Sequence, residues 1–410
     1  MHEVKSDIQM LKKNFHLARR KLAKIWLDVN LQITVIGVTG SYGKTSTVRA
    51  ISEVLSTRYS VNKSDLNLDT VYNLPITILK TKIWNEVLVL EYGIDHLGEM
   101  DNHLSLVKPK IAVLTGITSV HTDEEHLKSL EKAIEEKKKL IESIPDDGLA
   151  VLNYDDENSR KVGLAFRGRK IFYGQDRKAD VWADEIEITP RGTSFVLHDG
   201  EAEEEIRTGL LGFPAVYSCL AAWIVGREQG IEINKVKEKL AKLTPLPGRL
   251  SIEDGPLGTI LVNDSRRSNI VSALVGLKSF AQLPGRKVAV LGEMGEIGDD
   301  EEKLHRKLGE EIAKMPIDFV VGVGPLTKFT IEEASKRGFK KTNLFWAKDV
   351  QETAEILKKL LKKDNLLYLK ASLLRHLERI ILLLEEKQVK CEKIVCHRYQ
   401  PCTSCSELSK

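Results

Sequence analysis

The chain has 410 residues, of which 42% are hydrophobic and 30% charged, and its formal net charge is +3. This length predicts two or three domains with substantial hydrophobic cores. The small net charge gives no support for nucleic-acid binding, and no apolar run approaches the roughly 18–20 residues of a membrane span. No signal-peptide-like apolar segment opens the sequence. We therefore expect a cytoplasmic protein without a nucleic-acid partner.

The first 30 residues predict an amphipathic helix with a basic polar face. Lysines and arginines lie mostly outside a single apolar stripe within residues 6–28. Such a helix packs on its own protein or on a partner protein, or it binds an acidic partner or an anionic membrane surface. The sequence leaves these alternatives open. The stripe consists of Ile8, Leu11, Phe15, Ala18, Leu22 and Ile25.

Residues 31–244 alternate short apolar runs with helical patterns, which predicts an α/β domain with a mostly parallel sheet. Strand-like runs occur in ITVIGVTG, EVLVLEYG, KIAVLTGI and DGLAVLN. A later stretch, from residue 180 to 212, alternates polar and apolar residues and predicts antiparallel hairpins. A helix is expected to follow at residues 214–229.

Residues 245–388 predict a second α/β domain behind the Pro- and Gly-rich linker LTPLPGRL. Its five strand-like segments alternate with helical stretches, as in a Rossmann-like sheet. No G-x-G-x-x-G motif opens a helix there, so dinucleotide binding has no support. Residues 389–410 form a cysteine-rich tail.

The stretch VIGVTGSYGKTST at residues 35–47 predicts a phosphate-binding loop between a strand and a helix. It departs from the general pattern G-x-x-x-x-G-K-[ST], because Val38 occupies the position of the first glycine. Converging backbone N–H groups and the positive end of the helix dipole favour phosphate binding. The lysine that follows would contact the phosphates, and the next threonine hydroxyl would bind Mg²⁺. The residues expected to bind the nucleotide here are Gly40, Ser41, Gly43, Lys44, Thr45 and Ser46.

This loop resembles that of the Mur ligases, and further motifs extend the resemblance over residues 33–385. LEYGIDHLGEM resembles L-E-M-G-x-x-x-x-G-E-I, and VLGEMGEIGDDEEKLHRKLGE resembles V-L-G-D-M-x-E-L-G…L-H-x-x-x-G, of the branch that adds D-alanyl-D-alanine. The resemblance implies a P-loop central domain and a Rossmann-like C-terminal domain. It also implies an ATP-dependent ligase that joins an amino acid or dipeptide to a cell-wall precursor through an acyl phosphate, with release of ADP.

The resemblance further implies a metal site in the central domain. Thr45, Glu91 and His121 match residues that hold Mg²⁺, and Lys137 matches a lysine that is carbamylated to give another oxygen ligand. Lys138 is the alternative if the register of that helix differs by one residue. The catalytic residues that the resemblance implies are Lys44, His121 and Lys137.

Four positions in the second domain also match the family. Arg249, in the linker, corresponds to an arginine that reaches the nucleotide when the domains close. Asp264 corresponds to the aspartate on the ATP ribose, and Lys370 and Ser372 correspond to residues near the amine substrate. The alternatives for Arg249 and Asp264 are a linker charge and a helix cap.

Departures from the family pattern leave the acceptor and the base contacts open. Only about 32 residues precede the first predicted strand, so the usual N-terminal UDP-sugar-binding domain is not expected. The family motif G-x-H-N-x-x-N has Pro214, Ala215 and Ser218 in place of the histidine and both asparagines. Gly116 replaces the asparagine of T-N-I, and Tyr42 fills a place in the phosphate loop where relatives often carry asparagine. Alternatives are therefore a ligase similar to folylpolyglutamate synthases, one similar to a lipid II amidotransferase subunit, and a degenerate ATP-binding protein without activity.

The tail concentrates four cysteines in 15 residues. Four thiolates can form a tetrahedral zinc site, although only one pair has the C-x-x-C spacing common in such sites. Free thiols are the alternative. The possible zinc ligands are Cys391, Cys396, Cys402 and Cys405.

Overall fold

The structure is a computed structural model that describes residues 2–30, 32–64, 70–118, 126–295 and 300–409, with backbone only for 2–13, 70 and 71. It divides into two compact units. The first comprises Met1–Ile186, Ser194–Arg207 and Ala215–Leu243, and the second Glu187–Thr193, Thr208–Pro214 and Thr244–Lys410. No helix in the described ranges combines the length and apolarity needed to cross a bilayer.

A nine-stranded sheet forms the centre of the first part of the chain, with the strand order β2-β3-β1-β4-β5-β6-β7-β8-β9. The strands are β1 Thr34–Thr39, β2 Val61–Lys63, β3 Val87–Glu91, β4 Ile111–Leu114, β5 Leu149–Asn153, β6 Lys170–Gly174, β7 Val181–Thr189, β8 Gly192–Asp199 and β9 Ala202–Thr208. The helices are α1 His2–Val29, α2 Lys44–Leu55, α3 Thr70–Lys80, α4 Glu99–Leu106, α5 Leu130–Glu142, α6 Glu157–Ala165, α7 Phe213–Glu228 and α8 Ile233–Ala241.

Strands β2 to β7 pair in parallel. The central strands β1, β3, β4 and β5 are almost entirely buried, because their apolar side chains face helices on both sides of the sheet. Connections of two residues join β7 to β8 and β8 to β9, and connections this short require antiparallel strands. The predicted mostly parallel α/β fold is confirmed.

The second unit contains a six-stranded sheet with the order β10-β11-β15-β12-β13-β14, in which only β10 is antiparallel to its neighbour. Its strands are β10 Ser251–Asp254, β11 Ile260–Asp264, β12 Lys287–Gly292, β13 Phe319–Val323, β14 Leu344–Ala347 and β15 Leu366–Lys370. Its helices are α9 Ile270–Ala281, α10 Glu301–Ile312, α11 Thr327–Lys336, α12 Val350–Leu360 and α13 Glu378–Leu384, with 3₁₀ turns at Pro256–Gly258, Lys341–Asn343, Leu373–Arg375 and Cys402–Ser404. Ligands of such sheets bind at the carboxyl ends of the strands.

Candidate active site

The predicted phosphate loop connects β1, an inner strand of the sheet, to the start of α2. Gly40 has a φ of +147°, and a Cβ at this position would lie 2.0 Å from the hydroxyl oxygen of Thr115. Gly43, with a φ of +73°, is the N-cap of α2 and turns the chain into the helix. The ammonium of Lys44 donates to the carbonyl of Gly40 at 2.8 Å. This strand–loop–helix geometry directs a lysine and backbone N–H groups to one concave turn, as phosphate binding requires.

A hydroxyl and a carboxylate lie side by side behind this loop. Thr45, in the first turn of α2 beside Ser46, donates through its hydroxyl to Oε2 of Glu91 at 3.0 Å. Glu91 ends β3, where it pairs in register with Val38 of β1. Hard oxygen donors of this kind suit Mg²⁺, so these residues fit the implied ion. His121 lies outside the described residues.

Lys137 is buried on α5, with only 3% of its surface exposed. Burial lowers the pKa of Lys137 from its usual value near 10.5 to about 7; the charge of Lys44 acts in the same direction, and Asp95 and Glu136 oppose it. The influence of Lys44 indicates that the buried lysine and the phosphate loop are neighbours. The rival Lys138 is partly exposed on the same helix. The burial of Lys137 therefore favours Lys137 over Lys138 as the counterpart of the family's lysine.

Two departures from the family pattern meet in this loop. The hydroxyl of Tyr42 lies only 2.1 Å from where a Cβ of residue 116 would stand, so the tyrosine occupies the space beside Gly116. Gly116 has a φ of +149°, and its carbonyl accepts from the amide of Ser41 at 2.8 Å. Tyr42 in turn donates to Asp156, the N-cap residue of α6, at 3.2 Å. Sequence reasoning treated these two substitutions separately and missed their contact.

A second tyrosine contact lies at the end of β5, near the positions where the family motif is lost. Tyr217 on α7 donates to Asp155 at 2.8 Å and accepts from the side-chain amide of Gln175 at 2.8 Å. Burial raises the pKa of Tyr217, and the charge of Asp155 adds to the effect. Tyr217 immediately precedes Ser218, so this hydrogen-bonded tyrosine lies within the altered motif. The only sequence signal was the position of this tyrosine within the motif.

The second unit brings three of its predicted site residues together. The ammonium of Lys370 lies 2.7 Å from Oδ2 of Asp264, at the carboxyl ends of the adjacent strands β15 and β11, and Tyr368 donates to the same oxygen at 2.9 Å. Burial raises the pKa of Asp264 and lowers that of Lys370, while the attraction between the two charges opposes both shifts. The charge of Arg249 also lowers the pKa of Lys370, so the linker arginine lies near this pair.

Ser372 follows β15 and contacts the loop after β12. Its amide donates to the carbonyl of Glu293 at 3.3 Å. The Glu293 side chain is buried; one oxygen lies 2.9 Å from the guanidinium of Arg375 and the other accepts from the amide of Leu326 at 3.0 Å. A carboxylate–guanidinium pair, with its carboxylate buried, therefore lies beside Ser372, after the carboxyl ends of β12 and β15.

The cysteine-rich tail folds against α13 but does not gather its four sulfurs. Within the described residues, one group has the composition and spacing of a metal site: the ligand atoms of His376, Glu378 and Cys402 lie within 4.8 Å of one another. The amide of Cys402 donates to Glu378 at 3.2 Å. Arg379 donates to the carbonyls of Cys391 and of residue 393 at 2.8 and 2.7 Å. The tail is thus held by side chains at positions 376–379, and only one cysteine belongs to the cluster.

Comparison with known proteins identifies the class to which this fold and site belong. Residues 38–226 match the Mur ligase middle domain, and residues 248–373 match the Mur ligase glutamate ligase domain. The UDP-N-acetylmuramoyl-tripeptide–D-alanyl-D-alanine ligase of Bacillus subtilis is 31% identical over 366 residues, which cover 89% of this chain and 78% of the relative. The Escherichia coli enzyme of the same name is 28% identical over 318 residues, covering 77% and 70%.

A solved structure gives the same result. The crystal structure of MurF from Acinetobacter baumannii superposes with a TM-score of 0.82 at 25% identity, covering 91% of this chain and 81% of that one. The chain belongs to the Mur ligase family. It is an ATP-dependent, ADP-forming ligase, as the loop and its surrounding motifs predicted.

Proposed function

We propose that this chain adds D-alanyl-D-alanine, or a similar amino acid or dipeptide, to the carboxylate of a cytoplasmic cell-wall precursor. The observation that carries the proposal is the grouping of Lys44, the Thr45–Glu91 pair and the buried Lys137 at the carboxyl ends of the sheet. Relatives named for this reaction align with most of the chain.

In the proposed reaction, a carboxylate oxygen of the acceptor attacks the γ-phosphorus of ATP, and the bond from that phosphorus to ADP breaks. The amine then attacks the carbonyl carbon of the acyl phosphate, loses a proton and expels phosphate. Lys44 and the loop N–H groups would offset charge on the transferring phosphoryl group. Thr45, Glu91 and His121 would hold Mg²⁺, which when bound neutralises phosphate charge.

We propose that Lys137 acts as its carbamate. Only a neutral amine attacks CO₂; the new N–C bond forms as one nitrogen proton leaves, and the product is an oxygen ligand for a hard cation. The buried position of Lys137 and its lowered pKa support this step, because a lysine with its usual pKa is almost fully protonated at neutral pH.

The remaining roles extend the proposal to the second domain. We propose bounds of 31–244 for the ATP-binding domain and 245–388 for the C-terminal domain. Arg249 and Asp264 would serve the nucleotide, and Lys370 and Ser372 the amine. The Glu293–Arg375 pair lies beside Ser372 and would hold the loop that carries this serine in place.

The test is a ligation assay with purified full-length chain, ATP and Mg²⁺. Acceptors would be UDP-N-acetylmuramoyl-tripeptide, the free tripeptide and a folate, each with D-alanyl-D-alanine, L-alanyl-L-alanine or glutamate. ADP release and formation of a product of the ligated mass should both require a tripeptide-bearing acceptor and the D,D-dipeptide. Lys44→Ala should greatly reduce both. Turnover only with folate and glutamate would favour the alternative ligase, and the absence of acceptor-dependent ADP from every pair would overturn the proposal.

For the tail, we propose that any zinc is held through Cys402 with His376 and Glu378, and not by four cysteines. Their proximity supports this choice, since thiolate, imidazole and carboxylate are all zinc ligands. Metal content after dialysis should fall in Cys402→Ser and stay unchanged in Cys405→Ser. Equal loss of zinc in both variants would instead support the four-cysteine site. A wild-type protein that holds no zinc would contradict both proposed sites.

A further inference from the structure

Helix α1 is attached to its own unit through one face. Ala23 is fully buried, and the ring of His16 lies edge-on to that of Tyr72 on α3, with the centroids 4.8 Å apart. The guanidinium of Arg20 donates to the carbonyl of Asn102 on α4 at 2.6 Å. Positions 16, 20 and 23 are three and four residues apart, so they share one side of the helix.

The apolar stripe seen in the sequence lies on a different side of α1. Its members Phe15, Leu22 and Ile25 are 66, 57 and 59% exposed, and Val29, four residues further on, is 76% exposed. Steps of seven, three and four residues align these side chains in one row. The row therefore does not pack on the described part of the chain. A continuous row of large exposed apolar side chains indicates an interaction surface.

A second exposed apolar segment lies at the same edge of the unit. Ile83 and Trp84, in the turn between α3 and β3, are 76 and 62% exposed, and the ammonium of Lys82 lies 5.0 Å from the Trp84 ring centroid. The amide of Thr34, shortly after α1, donates to the carbonyl of Glu86 at 2.9 Å, which places the end of α1 near this turn. Tryptophan and lysine together are typical of proteins that contact the membrane–water interface.

The charge of α1 distinguishes a second copy of the chain from an anionic membrane as the partner of this surface. Residues 2–29 contain seven lysines and arginines against three acidic residues, a net +4, whereas the whole chain is only +3. Two copies that paired through α1 would bring like charges together. An anionic bilayer complements the charge and accepts the apolar row and the tryptophan. We propose that α1 and the turn at residues 82–84 bind this protein to the surface of an anionic membrane.

In this arrangement α1 lies along the bilayer and does not cross it. The apolar stripe enters the boundary between headgroups and acyl chains, and Lys21 and Lys24, both exposed, contact anionic headgroups. The face that holds α1 to α3 and α4 remains occupied. Membrane binding therefore needs no unfolding of the unit and goes beyond the ligation chemistry proposed above.

The test is co-sedimentation of the full chain with vesicles of phosphatidylcholine containing about 30% phosphatidylglycerol, and with phosphatidylcholine alone. We expect binding to the anionic vesicles, weakened at about 0.5 M salt because screening shortens the range of the attraction. The double variant Leu22→Glu/Ile25→Glu should bind at least about tenfold more weakly, because two apolar contacts are lost and two negative charges added. Leu164→Glu, on α6 and similarly exposed, is the matched control and should bind normally.

Light scattering and soluble ligation separate the possible outcomes. The double variant should keep the mass and the circular dichroism spectrum of the wild type. It should also release ADP at the wild-type rate without vesicles, so failure of the ligation assay and failure of membrane binding are distinguishable. The proposal would be overturned if the wild type and the double variant bound anionic vesicles equally well. It would also be overturned if the wild type bound neutral vesicles as well as anionic ones. A wild-type dimer that the double variant dissociates would instead identify the stripe as a self-association surface.

Discussion

Replacing Lys137 with methionine should stabilise the fold while abolishing ligation. In the folded chain the pKa of this lysine is about 7, against a usual value near 10.5. Between these values the unfolded chain binds more protons than the folded one, so stability rises as the pH rises from 7 to 10.5 and is lower below that window. Linkage sets an upper limit of about 4 kcal/mol for this destabilisation at pH 7, falling to about 2 kcal/mol at pH 9. Methionine has a similar length and no charge to desolvate.

The assay compares urea unfolding of the first unit with ADP release, in CO₂-free buffer and with added bicarbonate. Lys137→Met should gain stability over the wild type at pH 7, and about half of that gain should remain at pH 9. Bicarbonate should raise wild-type ligation and leave the variant inactive. Lys138→Met is the matched control, because this partly exposed side chain should change stability by no more than about 0.5 kcal/mol. A Lys137→Met variant that is less stable than the wild type, or that still ligates, would contradict the prediction.

Three further predictions test the loop and the second unit. Lys44→Ala should reduce acceptor-dependent ADP release by about 10³-fold, because the positive charge that offsets the charge of the transferring phosphoryl group is lost. Unchanged release would exclude the loop from catalysis. Gly116→Ala should lower the urea midpoint for two reasons: the new Cβ overlaps the Tyr42 ring, and alanine disfavours the positive φ at this position. Adding Tyr42→Ala should recover only the part of the loss that comes from the overlap. If the effects of the two substitutions simply add, the contact is disproved. Asp264→Asn should cost about 3–5 kcal/mol by leaving Lys370 buried without its partner, and the double variant Asp264→Asn/Lys370→Met should recover most of that loss in a thermal unfolding assay.

The sequence was sufficient to predict elements whose signal is local. Apolar runs followed by helical patterns predicted the parallel sheet, since buried strands covered on both faces require such runs. The glycines and Lys44 predicted the phosphate loop because the backbone conformation at Gly40 and Gly43 is available mainly to glycine. Lys137 was identified only through the resemblance, because its helix carries three consecutive lysines and periodicity alone does not show which one is buried.

Contacts between distant positions could not be predicted from the sequence. The stripe of α1 predicted an amphipathic helix, but the helix docks through other residues: His16 and Arg20 contact α3 and α4, and Ala23, Trp26 and Leu27 pack on the core. Hydrophobic periodicity selects the longest apolar row of a helix and does not show which face is buried. The tail shows the same difficulty, since Cys402 joins His376, a residue outside the cysteine-rich segment, and cysteine spacing contains no information about that contact.

The distribution of the altered residues argues against a degenerate protein. The substitutions at Tyr42 and Gly116 lie together near Asp156, which follows β5, and Tyr217 of the altered α7 motif contacts the neighbouring Asp155. The Thr45–Glu91 pair at the end of β3 retains the family's residue types, and so does Lys137. A buried lysine is costly, and in a protein without phosphoryl chemistry almost any apolar residue at that position would stabilise the fold. The combination fits a ligase that transfers phosphate by the family's route.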